Sequence, residues 1–137
     1  MLLTLGIVFA VIGQADGIAP AALKEASSPI SLSPGGASPG IDAFCRQVRN
    51  AKIVGLGEAS HGSHEFAELK TRLIKRLVEK EGCRVVAFES GFVQSLGMTL
   101  YVAGRSQDID AALANQGYWT WQTQEVKQLL DWMRNWN

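Results

Sequence analysis

Two hydrophobic periods alternate along the middle of the chain. A short apolar run, Ile53 to Glu58 (IVGLGE), passes into a loop of small residues, then a long stretch with apolar positions at helical spacing, then a second apolar run, VVAFE, ending at Glu89. That order predicts a strand, a crossover helix over about 64–80 and a parallel strand. Phe66, Leu69, Leu73, Ile74 and Leu77 form the apolar face of the crossover helix. Upstream, Ile41 to Ala51 reads as a short helix with Ile41, Phe44, Cys45 and Val48 on one side. Downstream come a helix from Phe92 to Ala103 ended by Gly104, a short helical segment from Asp108 to Asn115, and a last helix in which Val126, Leu129, Leu130 and Met133 recur at helical spacing. The expected fold class is α/β: a partial three-layer domain with parallel strands and a crossover helix. Two strands leave a parallel sheet incomplete, so residues 41–137 are expected to be the N-terminal part of a larger, truncated domain.

Composition changes this picture mainly at the start of the chain. Leu2 to Ile12 is almost continuously apolar and is followed by the small residues Ala15 and Gly17, so residues 1–17 are expected to be a signal peptide and the protein to be exported. The apolar run is too short for a stable membrane span. All four prolines fall within residues 18–40, a stretch rich in Ala, Ser and Gly that reads as a linker. Lys plus Arg and Asp plus Glu each number 13, so the net charge is zero and no basic block points to a nucleic-acid partner. Two cysteines, Cys45 and Cys83, make neither a disulfide framework nor a metal knuckle and are expected to be buried thiols.

The candidate chemistry gathers around the predicted strand ends. In a βαβ unit the carboxyl ends of parallel strands share one edge, which places Glu58 and Glu89 as neighbours where ligands of open α/β sheets bind. His61 follows Glu58 in the loop. Lys70 falls in the middle of the apolar face, where a charge requires a partner, and a helical side chain leaning toward the N-terminus carries its ammonium back toward the carboxylates. Trp119 and Trp121 precede the last helix near the same loops and are candidate pocket walls for a substrate. His64 lies on the polar side of its helix and reads as a surface or capping residue. No G-x-S-x-G elbow occurs, so a serine nucleophile is not expected. The pair Gly55 and Gly57 lacks the third glycine of a dinucleotide loop, Ser60 standing in its place, and no cofactor is assigned.

The run GEASHGSHEFAELKTRLIKRLVEKEGCRVVAFESGF, with the later YWTWQTQEVKQLLDWMRNWN, resembles the erythromycin esterase family over about residues 53–137. The shared features are a GE-x-x-H loop, a basic residue nine positions after the histidine, and a strand ending in FE. The resemblance implies an α/β hydrolase acting on a small-molecule ester, in some members a macrolide macrolactone, with a site containing Glu58, His61, Lys70 and Glu89. Arginine is common in the family where Lys70 stands, and lysine offers a point charge in place of a bidentate fork. Members are longer proteins, so the C-terminal half of the domain, which supplies another histidine, is an expected missing partner. His61 is expected to act as general base on water, with Glu58 or Glu89 orienting it. The alternatives are a metal-dependent hydrolase or peptidase holding its ion with Glu58, His61 and Glu89, and an inactive truncated product.

Overall fold

The structure, a computed structural model, describes Ala21, Ile30, Ser31 and residues 38–137. The signal-peptide reading of residues 1–17 lies outside the described residues, as does most of the linker reading. Among residues 38–137 five α-helices follow in order: α1 (Pro39–Val48), α2 (His64–Glu81), α3 (Phe92–Val102), α4 (Ile109–Ala114) and α5 (Gln124–Trp136), with a 3₁₀ turn (Trp119–Trp121) before the last. Among the described residues there is no strand and no sheet.

This corrects the expected α/β class with its parallel strands. The two apolar runs are extended, but no backbone hydrogen bond joins them. Each packs on helices instead. Residues 53–58 alternate in burial, Val54 and Leu56 turning toward the α1–α2 core while Ile53 is 39% exposed. Residues 84–89 turn Val86 and Phe88 inward and leave Val85 exposed. A short apolar run is therefore produced by a segment that packs one face on helices as well as by a strand in a ladder. A lone parallel pair offers few ladder bonds, and an isolated two-stranded unit is at best marginal in water.

Two apolar clusters hold the helices together. Ile41 and Cys45 of α1 meet Leu73 and Leu77 of α2, with Leu56 and Cys83 packed against them. Met98 and Tyr101 of α3, Ile109, Ala112 and Leu113 of α4, and Val126 and Leu130 of α5 form the second. Gly97 lets α3 approach α4 closely: a Cβ there would stand 3.2 Å from the Ala112 Cα. Contact between α2 and α5 joins the two halves. Both cysteines are free thiols, Cys45 buried and Cys83 partly so, and burial pushes the Cys45 thiol above its ordinary range.

The helix ends follow local chemistry. Gly82, at φ 76°, stops α2, and the Cys83 N–H returns to the Leu77 carbonyl at 3.1 Å. Asp108 caps α4 by accepting from the Ala111 N–H at 2.8 Å, and Thr123 caps α5 by accepting from Val126 N–H at 3.3 Å. Ser63 sits at the N-cap of α2, yet its hydroxyl donates to Glu65 at 2.9 Å instead of capping the backbone. Within the described residues no helix is long and apolar enough to cross a membrane.

Candidate functional site

The loop 58–63 connects the first extended segment to α2, and its backbone turns at Gly62, where φ is 82°. Any other residue at this position would be strained, and a Cβ would also meet the Trp119 ring at 3.3 Å. Glu58 arrives in phase with Val54 and Leu56, so its side chain turns inward and is only 14% exposed. One carboxylate oxygen lies 2.6 Å from His61 Nδ1, and the other accepts a hydrogen bond from Lys70 Nζ at 2.5 Å. Burial works to raise the Glu58 carboxyl, but the hydrogen bonds from His61 and Lys70 together outweigh it and hold the group below the ordinary carboxylate range. Glu58 is thus an anion bridging an imidazole and an ammonium. Lys70 also lies 5.9 Å from the Trp121 ring centre, and that ring packs edge-on against Phe88.

Glu89 is placed differently. Its backbone carbonyl accepts from Trp121 Nε1 at 3.0 Å, which ties the second extended segment to the 3₁₀ turn. Its side chain alternates out of phase with Phe88 and is exposed, without a hydrogen bond or ion pair among the described residues. Glu58, His61 and Lys70 therefore come together directly, while Glu89 contributes its backbone. Trp121 lines the cleft between α2 and α5; Trp119, 64% exposed, stands edge-on to His61 with ring centres 6.3 Å apart.

That cleft measures about 130 Å³. Glu58, Lys70, His64 and Glu125 line it, and Phe88 and Trp121 supply apolar wall. His64 Nδ1 lies 2.5 Å from a Glu125 carboxylate oxygen. The hydrogen bond to Glu125 raises the His64 imidazole above its ordinary value, with smaller help from Glu65 and Glu68 nearby. Reciprocally, His64 holds Glu125 low. This pair was not legible in the sequence, because 61 positions separate its members and each alone reads as a helix-surface residue. Gln116 was missed as well. It is fully buried, donates to Ser90 Oγ at 2.7 Å and accepts from the Tyr118 N–H at 2.9 Å, fixing the turn that presents Trp119 and Trp121. A glutamine two residues before an aromatic pair carries no recognisable signature.

The His64–Glu125 contact predicts a pH-dependent contribution to stability. A raised folded value means that the His64 contribution is fully present below the unfolded histidine value of about 6.5 and is lost as pH rises through the higher folded value. Glu125, held low, contributes above its unfolded value of about 4.5 and loses that contribution as pH falls through its folded value. The stability difference between the protein and its His64→Gln variant should be greatest between these limits and shrink on the alkaline side. Urea midpoints measured from about pH 5 to about pH 9 test this; a difference that does not change with pH removes the ion pair as its source.

No group of three or more His, Cys, Asp or Glu side chains among the described residues is placed to hold a metal ion. Glu58 and His61 are close enough to share one, but Glu89 does not join them. What the cleft offers is the Glu58 carboxylate, the Lys70 ammonium, the His64–Glu125 pair and aromatic walls, with the His61 imidazole joined to it through Glu58, a set suited to activating water and stabilising negative charge.

Comparison with known proteins bears on the same surfaces. The family model described as erythromycin esterase matches residues 78–137, a stretch that begins late in α2 and contains Glu89, Trp119, Trp121 and Glu125. A protein of Bacillus subtilis (strain 168) named "Putative hydrolase YbfO" is 37% identical over 92 residues, which is 66% of this chain and 20% of that protein. The chain thus spans about a fifth of the length of this relative. No solved structure matches. Family and relative together support a hydrolase-like function. The family match over residues 78–137 and the 37% identical relative together support the chain as a fragment of the erythromycin esterase family.

Proposed function

We propose that the cleft hydrolyses a carboxylic ester, of the macrolactone class or simpler, by attack of a His61-activated water. The observation that carries this reading is the bridging of Glu58 between His61 and Lys70. With Glu58 ionised, its short contact to Nδ1 requires a proton on that nitrogen, so the neutral form of the ring carries on Nε2 the lone pair that takes a proton from water. Nothing in this arrangement calls for a nucleophilic side chain. Water attacks the carbonyl carbon as His61 Nε2 removes its proton, and the charge that develops falls on the carbonyl oxygen. Lys70 spends one of its three N–H donors on Glu58, and the ammonium faces the cleft where such an oxyanion would form. Collapse of the tetrahedral intermediate breaks the ester C–O bond and releases a carboxylate and an alcohol.

The cleft volume of about 130 Å³ is well below the roughly 300–1,000 Å³ of sites that enclose a whole drug-sized ligand. It suits the reacting ester and its immediate neighbours. The exposed Trp119 ring beside His61 would then serve as an apolar platform for the part of a larger substrate left outside. Hydrolysis in ¹⁸O-labelled water tests the reading. Incubated with a macrolactone and with simple alkyl esters, the purified protein should generate acid above the buffer rate, with one labelled oxygen in the carboxylate and no acyl-protein adduct by mass spectrometry after a rapid quench. An acid-quenched covalent adduct would replace the water mechanism with a nucleophilic one, and product formation no faster than in buffer would remove the esterase reading.

A further inference from the structure

We propose that His64 is the general acid of the same cleft, protonating the departing alcohol while Glu125 holds its ring in place. This inference rests on the esterase reading above and assigns the half of the reaction that His61 leaves open. An alkoxide is a poor leaving group in water, so C–O cleavage is assisted by a proton donor at the leaving oxygen. The cleft lining includes an imidazole–carboxylate pair, His64 with Glu125, besides the Glu58 carboxylate that holds His61. His64 is the first residue of α2, three positions after His61, with the turn at Gly62 between them. Glu125, in the first turn of α5, closes the cleft from the other helix.

Both histidines use Nδ1 for their carboxylate, at 2.6 Å for His61 and 2.5 Å for His64, which leaves Nε2 of each for another partner; His64 lines the cleft, and His61 is joined to it through Glu58, which does. The Glu125 contact shifts the His64 imidazole toward its cationic form, with Glu65 and Glu68 adding to it. A shift in that direction is what a proton donor to the leaving group needs. The ring is 70% exposed, so it is not a core residue whose polarity is merely satisfied by Glu125. The protons balance. His61 gains one from water, His64 gives one to the alkoxide oxygen, and the acid product loses its own to solvent, so that transfer through water from His61 to His64 restores both rings. The net reaction is ester plus water to carboxylate, alcohol and one proton.

A role as a clamp between α2 and α5 predicts that loss of His64 weakens all turnover alike. A role as proton donor predicts loss that depends on the leaving group. The test uses two esters of one acid, an alkyl ester and a 4-nitrophenyl ester, whose nitrophenolate departs without a proton. His64→Gln should lower kcat/KM for the alkyl ester by about 100-fold or more and for the nitrophenyl ester by no more than about threefold. Glu125→Gln, which keeps the imidazole but removes its anion, should show the same selectivity with a smaller loss. Equal losses for both esters, or none for the alkyl ester, overturn the assignment while wild-type turnover leaves the esterase reading standing. A wild-type protein that cleaves neither ester overturns both.

Discussion

His61→Ala is expected to lower kcat/KM for ester hydrolysis by about 10²–10⁴-fold, the range typical of a removed general base, without a measurable change in melting temperature. The second half of this prediction follows from exposure. The His61 side chain is 58% exposed and touches neither apolar cluster, so its removal opens no core cavity. Its one strong contact is with Glu58, which keeps Lys70 as a partner after the substitution. Glu58→Gln tests the same arrangement from below. The amide preserves shape, but it no longer fixes the Nδ1–H tautomer by charge and no longer neutralises Lys70, so activity should fall with a moderate loss of stability. Activity in His61→Ala within a few-fold of wild type, measured on the alkyl ester with the melt unchanged, removes His61 from the mechanism. Full loss accompanied by a collapsed melt would instead assign it a structural role.

How far the site was legible from sequence depended on whether its parts were local. Glu58, His61 and Lys70 lie within one loop and two helical turns, and the rules that relate them act over that distance: a glycine that turns the loop, and a helical side chain that leans back toward the N-terminus. Glu89 shows the limit. Its proximity to Glu58 was inferred from a parallel sheet, and the described residues contain none. The alternation in VVAFE placed Phe88 inward and so placed the Glu89 side chain outward, a consequence of period 2 that holds whether or not a ladder forms. Helices were more legible than strands because each helix satisfies its own backbone bonds, while a strand depends on a neighbour that sequence does not name. Helix ends shifted by a few residues at most: α1 stops at Val48 where Ala51 was expected, and α2 runs to Glu81. The contacts that sequence withheld, His64 with Glu125 and Gln116 with Ser90, join residues far apart in the chain.

Leu130→Ala is expected to have the largest effect on stability. Leu130 is 1% exposed and sits in α5 among Met98, Tyr101, Ile109, Ala112 and Leu113, at the point where three helices meet. Truncation removes its buried methyl groups and leaves a cavity that the neighbouring helices fill only in part, at a typical cost of about 2–5 kcal/mol. Single domains are stable by only about 5–15 kcal/mol, so the variant should lose a large share of its folding free energy, read as a lowered urea midpoint with an unchanged slope. Val93→Ala supplies the contrast. Val93 is 75% exposed on α3 and should shift stability by no more than about 0.5 kcal/mol, although it loses the same kind of group. Equal effects from the two substitutions would mean that the α3–α4–α5 cluster does not form the folding core. The consequence reaches the cleft, because α5 carries Glu125 five residues before Leu130 and presents Val126 and Leu129 to the cleft wall. A loosened α5 withdraws Glu125 from His64, so Leu130→Ala should also diminish the pH dependence of stability that this pair supplies, though Leu130 does not line the cleft.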